Sequence, residues 1–219
     1  FGETILVAPG TYTGDGDAVI ALPSDRNLIL RSSGGPGTTI IDGQNARRCV
    51  RIEGTPGNEN DGTRIEGFTI RNGRADEWNN GGGIECSTSS ISTIEDCTIE
   101  NSTARSGGGA SNSGTLILKN CTFKGNTTGD GRGGAIRATR TTQILGCTFE
   151  TNTSHGSGGG AIDIFSDESA VLVNDCTFTN NHSDGHGGAI SIYRSTVEIK
   201  RCTFHDNHAN GDGGAIKMQ

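Results

Sequence analysis

The sequence predicts an all-β fold, a right-handed single-stranded parallel β-helix of about seven coils, and three observations lead there. A Cys-Thr-Ile/Phe motif recurs every 24 to 29 residues, at Cys97, Cys121, Cys147, Cys176 and Cys202. The Phe residues of the later copies (Phe123, Phe149, Phe178, Phe204) each stand three residues before an Asn (Asn126, Asn152, Asn181, Asn207). Gly-Gly-Ala-Ile then closes each unit, at 133–136, 159–162, 187–190 and 213–216. A fixed period in the range of 20 to 50 residues is the mark of a solenoid, in which each unit buries its apolar face only by stacking on its neighbours.

Within a unit the apolar residues alternate as in strands: Val197 and Ile199, then Cys202 and Phe204, then Ile216 and Met218. Three short strands per coil are expected. Gly pairs and β-branched residues interrupt every window long enough for a helix. In-register stacking about 4.8 Å apart turns sequence positions into columns. One inward column is Ile65, Ile94, Leu118, Ile144, Val173 and Ile199; a second is Phe68, Cys97, Cys121, Cys147, Cys176 and Cys202. A third is Ile70, Ile99, Phe123, Phe149, Phe178 and Phe204, and a fourth is Ile84, Ser111, Ile136, Ile162, Ile190 and Ile216. The cysteines read as buried reduced thiols, because in-register neighbours do not aim their Cβ atoms at one another. The Asn residues read as a ladder of stacked amides, each bonded to the backbone of its own turn and to the Asn of the next coil. In the coils of Ile70 and Ile99 that Asn stands one place early, at Asn72 and Asn101. The Gly pair permits a sharp return into the next strand.

A single domain over 1–219 is expected, with irregular N-terminal coils over 1–62 and regular coils over 63–219. The opening stretches Thr4–Tyr12, Leu28–Leu30 and Thr39–Gly43 alternate like two coils but lack Cys-Thr-Phe. Polar loops are expected at 53–62 and at 73–81, the latter carrying Trp78. A start at Phe1 without Met, and a stop just after a repeat motif, predict a fragment of a longer chain.

Composition narrows the function. With 36 Gly, 5% aromatics and a formal net charge of −7, the chain offers no basic stripe for a phosphate backbone, so nucleic acid is not an expected partner. No apolar run reaches the length of a membrane span.

The paired Phe-x-x-Asn and Gly-Gly-Ala-Ile motifs resemble the repeats of polymorphic outer membrane proteins. The opening Gly2-Glu3-Thr4-Ile5-Leu6-Val7-Ala8-Pro9-Gly10-Thr11-Tyr12 is similar to the first coil of pectin-lyase-like β-helix proteins. The resemblance implies an exported bacterial protein displayed outside the cell or on its outer surface, structural or adhesive, and often part of a larger chain. It is specific for fold and says little about activity.

In the pectin-lyase-like superfamily the site commonly lies on the outward face of one sheet. Here the residues flanking Ile-x-Ile give one column of Glu85, Asn112, Arg137, Asp163, Ser191 and Lys217, and a second of Ser87, Gly114, Thr139, Phe165, Tyr193 and Gln219. Phe165 and Tyr193 are the candidate platform for sugar rings, with Arg137 and Asp163 as hydrogen-bonding partners for hydroxyls. The competing reading is a solvated face with a weak cross-strand ion ladder. Hydrolysis needs two carboxylates roughly 5 to 10 Å apart, and Glu85 and Asp163 are three coils apart. No catalytic residue is therefore assigned. His182 and His208, with Asp184, His186, Asn210 and Asp212 nearby, offer metal-ligand chemistry, but turns favour Asp and Asn in any case. No metal and no cofactor are expected. The leading expectation is a non-catalytic adhesive solenoid whose partners are surface glycans or other proteins. A carbohydrate-binding or polysaccharide-degrading helix is one alternative, and a filament subunit that self-associates through its open ends is another.

Overall fold

The computed structural model describes residues 2–23, 27–54, 62–76, 78–165 and 170–218. Its strands form a parallel β-helix of eight turns, in keeping with about seven coils, and among the described residues there is no helix. Three sheets hold eight strands each. Sheet A runs from Glu3–Val7 to Thr196–Lys200, sheet B from Gly10–Tyr12 to Thr203–His205, and sheet C from Ala18–Leu22 to Ile216–Met218. The regular coils carry a fourth strand, against the three expected. Two-residue strands from Thr103–Ala104 to His208–Ala209 make a five-stranded sheet D between sheets B and C. The first two coils belong to the same sheets, Glu3–Val7 pairing with Leu28–Ser32 and Gly10–Tyr12 with Thr39–Asp42. Part of the polar loop expected at 53–62 lies outside the described residues.

Stacking is in register in sheets A and B. Ile65, Ile94, Leu118, Ile144, Val173 and Ile199 pair in sequence, as do Ile70, Ile99, Phe123, Phe149, Phe178 and Phe204. The Phe rings stack nearly parallel with centroids 4.7 to 5.2 Å apart. In sheet C the column is Val50, Ile84, Ala110, Ile136, Ile162, Ile190 and Ile216, which places Ala110 where Ser111 was expected. The cause is a run of three glycines. Gly107 has the positive φ of Gly133, so Gly107-Gly108 is the turn pair and Gly109 occupies the Ala position. Ser111 therefore pairs outward between Glu85 and Arg137, and Asn112 points inward, fully buried. Its amide donates to Gly114 O, Thr141 O and Thr142 Oγ1, so all its polar atoms are satisfied. By the same shift, Ser113 rather than Gly114 belongs to the second outward column.

All seven cysteines are free, and all but Cys202 are buried. They are more than apolar filler. The thiols of Cys97, Cys121, Cys176 and Cys202 each donate to the carbonyl two residues earlier at 3.2 Å, closing the corner between sheets A and B. Burial pushes Cys97 up to about 12, so this thiol does not ionise near neutrality.

Two left-handed residues bracket each Cys-Thr-Phe. Before the Cys stand Asp96, Asn120, Gly146, Asp175 and Arg201, and two residues after the Phe or Ile stand Asn101, Gly125, Thr151, Asn180 and Asp206, all with φ between 48° and 63°. Gly, Asn and Asp tolerate this conformation best, which accounts for most of the choices. It also accounts for Asn72 and Asn101: they fill the left-handed column, and Gly73 and Ser102 occupy the ladder position. The Asn ladder itself runs wholly between coils, and no amide bonds to its own turn. Asn152 Oδ1 accepts from the Asn126 backbone N–H at 3.0 Å and the Asn126 side-chain amide at 3.1 Å, while Asn152 Nδ2 donates to Phe123 O and to Asn181 Oδ1. The pattern repeats at Asn181 and Asn207.

Neighbouring residues therefore have opposite expected effects. Asn152→Leu takes this partner from four groups of the adjacent coils and leaves two of them, the Asn126 N–H and Phe123 O, without it or a second side-chain partner, at about 1–3 kcal/mol each, so urea denaturation should show a loss of several kcal/mol, larger than that of Asn207→Leu at the half-buried end of the ladder. Thr151→Asn relieves a β-branched residue at φ 53° and should stabilise by about 1 kcal/mol in the same assay.

Candidate functional site

The outward face of sheet C is shaped by three adjacent strands, Ile136–Ala138, Ile162–Phe165 and Ile190–Tyr193. Alternation sends Ile136, Ile162 and Ile190 inward and brings Arg137, Asp163 and Ser191 side by side on the outer surface. Two residues along, Phe165 pairs with Tyr193 and their rings stack, with centroids 5.1 Å apart and planes 9° from parallel. Phe165 is 39% exposed, an open apolar surface at the edge of a charged region.

The four residues singled out from sequence thus lie on one face, but Asp163 does not present itself to solvent. It is fully buried. The backbone at Gly158 packs over it so closely that a Cβ there would come within 2.5 Å of both Asp163 Oδ1 and the Arg132 Cβ. Neither carboxylate oxygen has a hydrogen-bond partner, and Arg137 Nε has none either. Burial pushes the Asp163 carboxyl up to about 6, although the charges of Arg132 and Arg137 and the nearby Gly159 amide, short of hydrogen-bond geometry, favour its ionised form. Burial also lowers Arg137, offset by Asp163 and reinforced by the like charges of Arg132 and Arg105.

Two further guanidiniums belong to the face, outside the strand columns. Arg132 comes from the turn before Gly133 and lies 5.4 Å from the Phe165 ring centroid, and Arg194 lies 5.1 Å from that of Tyr193. The turn position of Arg132 carries no strand periodicity, so alternation does not single it out. Arg194 directly follows Tyr193 at φ 48°, so adjacency to an outward aromatic was a usable signal. The result is a stacked aromatic pair with an arginine at each side and a third, Arg137, beside it. The N-terminal end of the same face is neutralised internally, with Glu85 3.3 Å from Arg48 and 4.0 Å from Arg51. Gln219 lies outside the described residues.

The histidines of sheet D form a separate set. His182 and His208 stack at 5.4 Å, and Asp184 joins His155 at 2.9 Å and His182 at 3.0 Å. These two imidazoles hold Asp184 below the usual carboxylate range. Among the described residues no group of His, Cys, Asp and Glu has the geometry to hold a metal ion.

Asp163 dictates a pH dependence of stability. Its folded value lies above the unfolded value of about 3.9, so no charge is buried below pH 4, and the cost appears as pH rises from about 4 through 6, reaching about 3 kcal/mol. Asp163→Asn should remove that slope, so that the variant gains melting temperature relative to the parent between pH 4 and pH 7; parallel profiles would refute the assignment.

Residues 26–216 match the family model described as right handed beta helix region. No curated protein and no solved structure matches the chain.

Proposed function

The chain belongs to the right-handed β-helix family, and from that premise we propose a non-catalytic, surface-displayed binding solenoid that recognises acidic glycans on the outward face of sheet C. One observation carries this reading: the stacked Phe165–Tyr193 pair with Arg132 and Arg194 against its rings. The exposed ring edges give a pyranose an apolar wall, and a planar guanidinium pairs with a carboxylate or sulfate through two parallel hydrogen bonds. Arg137 adds charge to the same patch. A protein of net charge −7 repels polyanions at long range, so retention of one must come from a local cluster of this kind.

Binding without cleavage is supported by the carboxylates. Asp163 is sealed under the loop, and Glu85 sits three strands away, about 14 Å at the spacing of strands in a sheet, beyond the reach of a hydrolytic pair. The proposal of display outside the cell and of an adhesive role rests on the resemblance of the Phe-x-x-Asn and Gly-Gly-Ala-Ile repeats to those of polymorphic outer membrane proteins.

Uronate oligosaccharides should bind in titration calorimetry with affinity that falls as salt rises, and Arg132→Gln and Tyr193→Ala should each weaken them about tenfold, or about 1.4 kcal/mol. Equal binding by both variants and the parent, or release of new sugar ends during incubation, would overturn the proposal.

A further inference from the structure

The turn between the sheet B strand Thr69–Arg71 and the sheet C strand Ile84–Cys86 holds a feature the acidic-glycan face does not use. Trp78 projects from this turn with 77% of its surface exposed, the largest exposed apolar side chain among the described residues. Beside it opens a cleft of about 840 Å³, in the size range of small-molecule sites. Four successive coils supply its walls: Asn45 from one, Arg74, Asp76 and Trp78 from the next, then Arg105, then Asp130. A smaller cleft of about 210 Å³ shares Arg74 and Asp76, extending the groove toward the N-terminal coils.

The turn is pinned by backbone bonds. Ala75 N–H donates to Thr103 O at 3.0 Å, Asn79 N–H to Asp76 O at 2.8 Å, and Arg105 N–H to Asn79 O at 3.1 Å; Arg74 and Asn80 form parallel bridges to the next coil. Arg105 lies 5.9 Å from the Trp78 ring centroid and steadies one side of the indole. High exposure leaves an aromatic surface open above the cleft.

The charges around that surface define what fits. Arg74 and Arg105 are balanced by Asp76 and Asp130, and among the described residues these four form no salt bridge with one another. An anion entering the cleft meets two carboxylates, and a cation meets two guanidiniums. A neutral ring that carries adjacent hydroxyls suits the set: each hydroxyl both donates, to Asp76 and Asp130, and accepts, from Arg74 and Arg105, while the ring's C–H face covers the indole. We propose that the Trp78 cleft is a binding site for neutral oligosaccharides, separate from the basic face of sheet C and of opposite electrostatic preference.

Trp78 is the chain's single tryptophan, so its fluorescence reports this site alone. Gluco-, xylo-, manno- and chito-oligosaccharides of two to six units should be titrated against the full chain, with uronate oligosaccharides in parallel. At least one neutral series should give a saturable blue shift, and Arg105→Gln and Asp130→Asn should each raise its Kd about tenfold with the circular dichroism spectrum unchanged. Tyr193→Ala should leave that titration as it is, which separates failure of this site from failure of the acidic-glycan face. No shift with any neutral series, a larger shift with uronates, or full binding by both cleft variants would overturn the proposal.

Discussion

Hydrogen bonds directed along the solenoid axis tie each coil to the next, and in the Asn column this rule extends to side chains. Asn126, Asn152, Asn181 and Asn207 are all linked to the coil before, and the fully buried ones to the coil after as well. A buried amide of this kind tolerates no slip: shifting one coil by a residue would leave several donors and acceptors unpaired in a low-dielectric interior. The ladder therefore fixes the register that the Phe and Cys columns then exploit. Stacked Phe rings 4.7 to 5.2 Å apart require coils that repeat at strand spacing, and the thiol-to-carbonyl bonds require the same corner in each coil.

Because the interior is committed to repetition, individuality is confined to outward positions and turns. On sheet C the outward column passes through Glu85, Ser111, Arg137, Asp163, Ser191 and Lys217, acids, bases and hydroxyls on nearly identical backbones. Asp163 departs most from ordinary strand chemistry. A carboxylate facing outward from a strand normally stays hydrated, and here the chain's own loop at Gly158 takes that water away without supplying a hydrogen bond. The charges of Arg132 and Arg137, with the nearby Gly159 amide, hold its negative charge, and its presence in turn offsets the mutual repulsion of Arg132, Arg137 and Arg105. A buried carboxylate of this sort keeps three guanidiniums close together, a concentration of positive charge that an acidic protein would otherwise disperse.

The columns of sheets A and B were legible in the sequence because each coil repeats the same shapes at the same places. Legibility failed where the period slipped or where reach mattered more than position. Three consecutive glycines at 107–109 admit two alignments, one with Ser111 inward and Asn112 outward, and only the positive φ of Gly107 decides for the other. The two-residue strands of sheet D are too short to show alternation. On the candidate face Arg137, Phe165 and Tyr193 follow from strand periodicity alone. Arg132 does not, because a long side chain from a turn settles over Phe165 for reasons of space and charge that no spacing encodes. The burial of Asp163 was hidden for a related reason: it depends on a glycine five residues earlier lying over the carboxylate.

The two outward sites differ in charge for a reason that lies in their supports. The sheet C face seats Phe165, Tyr193 and Arg137 on in-register strands, while Arg132 from a turn and Arg194 from just beyond a strand gather beside them, so guanidiniums outnumber the one sealed carboxylate. The Trp78 cleft is built from turn segments of four coils, where residues come from unrelated positions and opposite charges surround an aromatic ring. A regular scaffold thereby carries two kinds of surface without disturbing its core, because side chains reaching from turns change the chemistry around a fixed backbone. The two proposed sites thus rest on different supports, a strand face and a turn cleft, and the Asn ladder between the coils is what holds both surfaces in place.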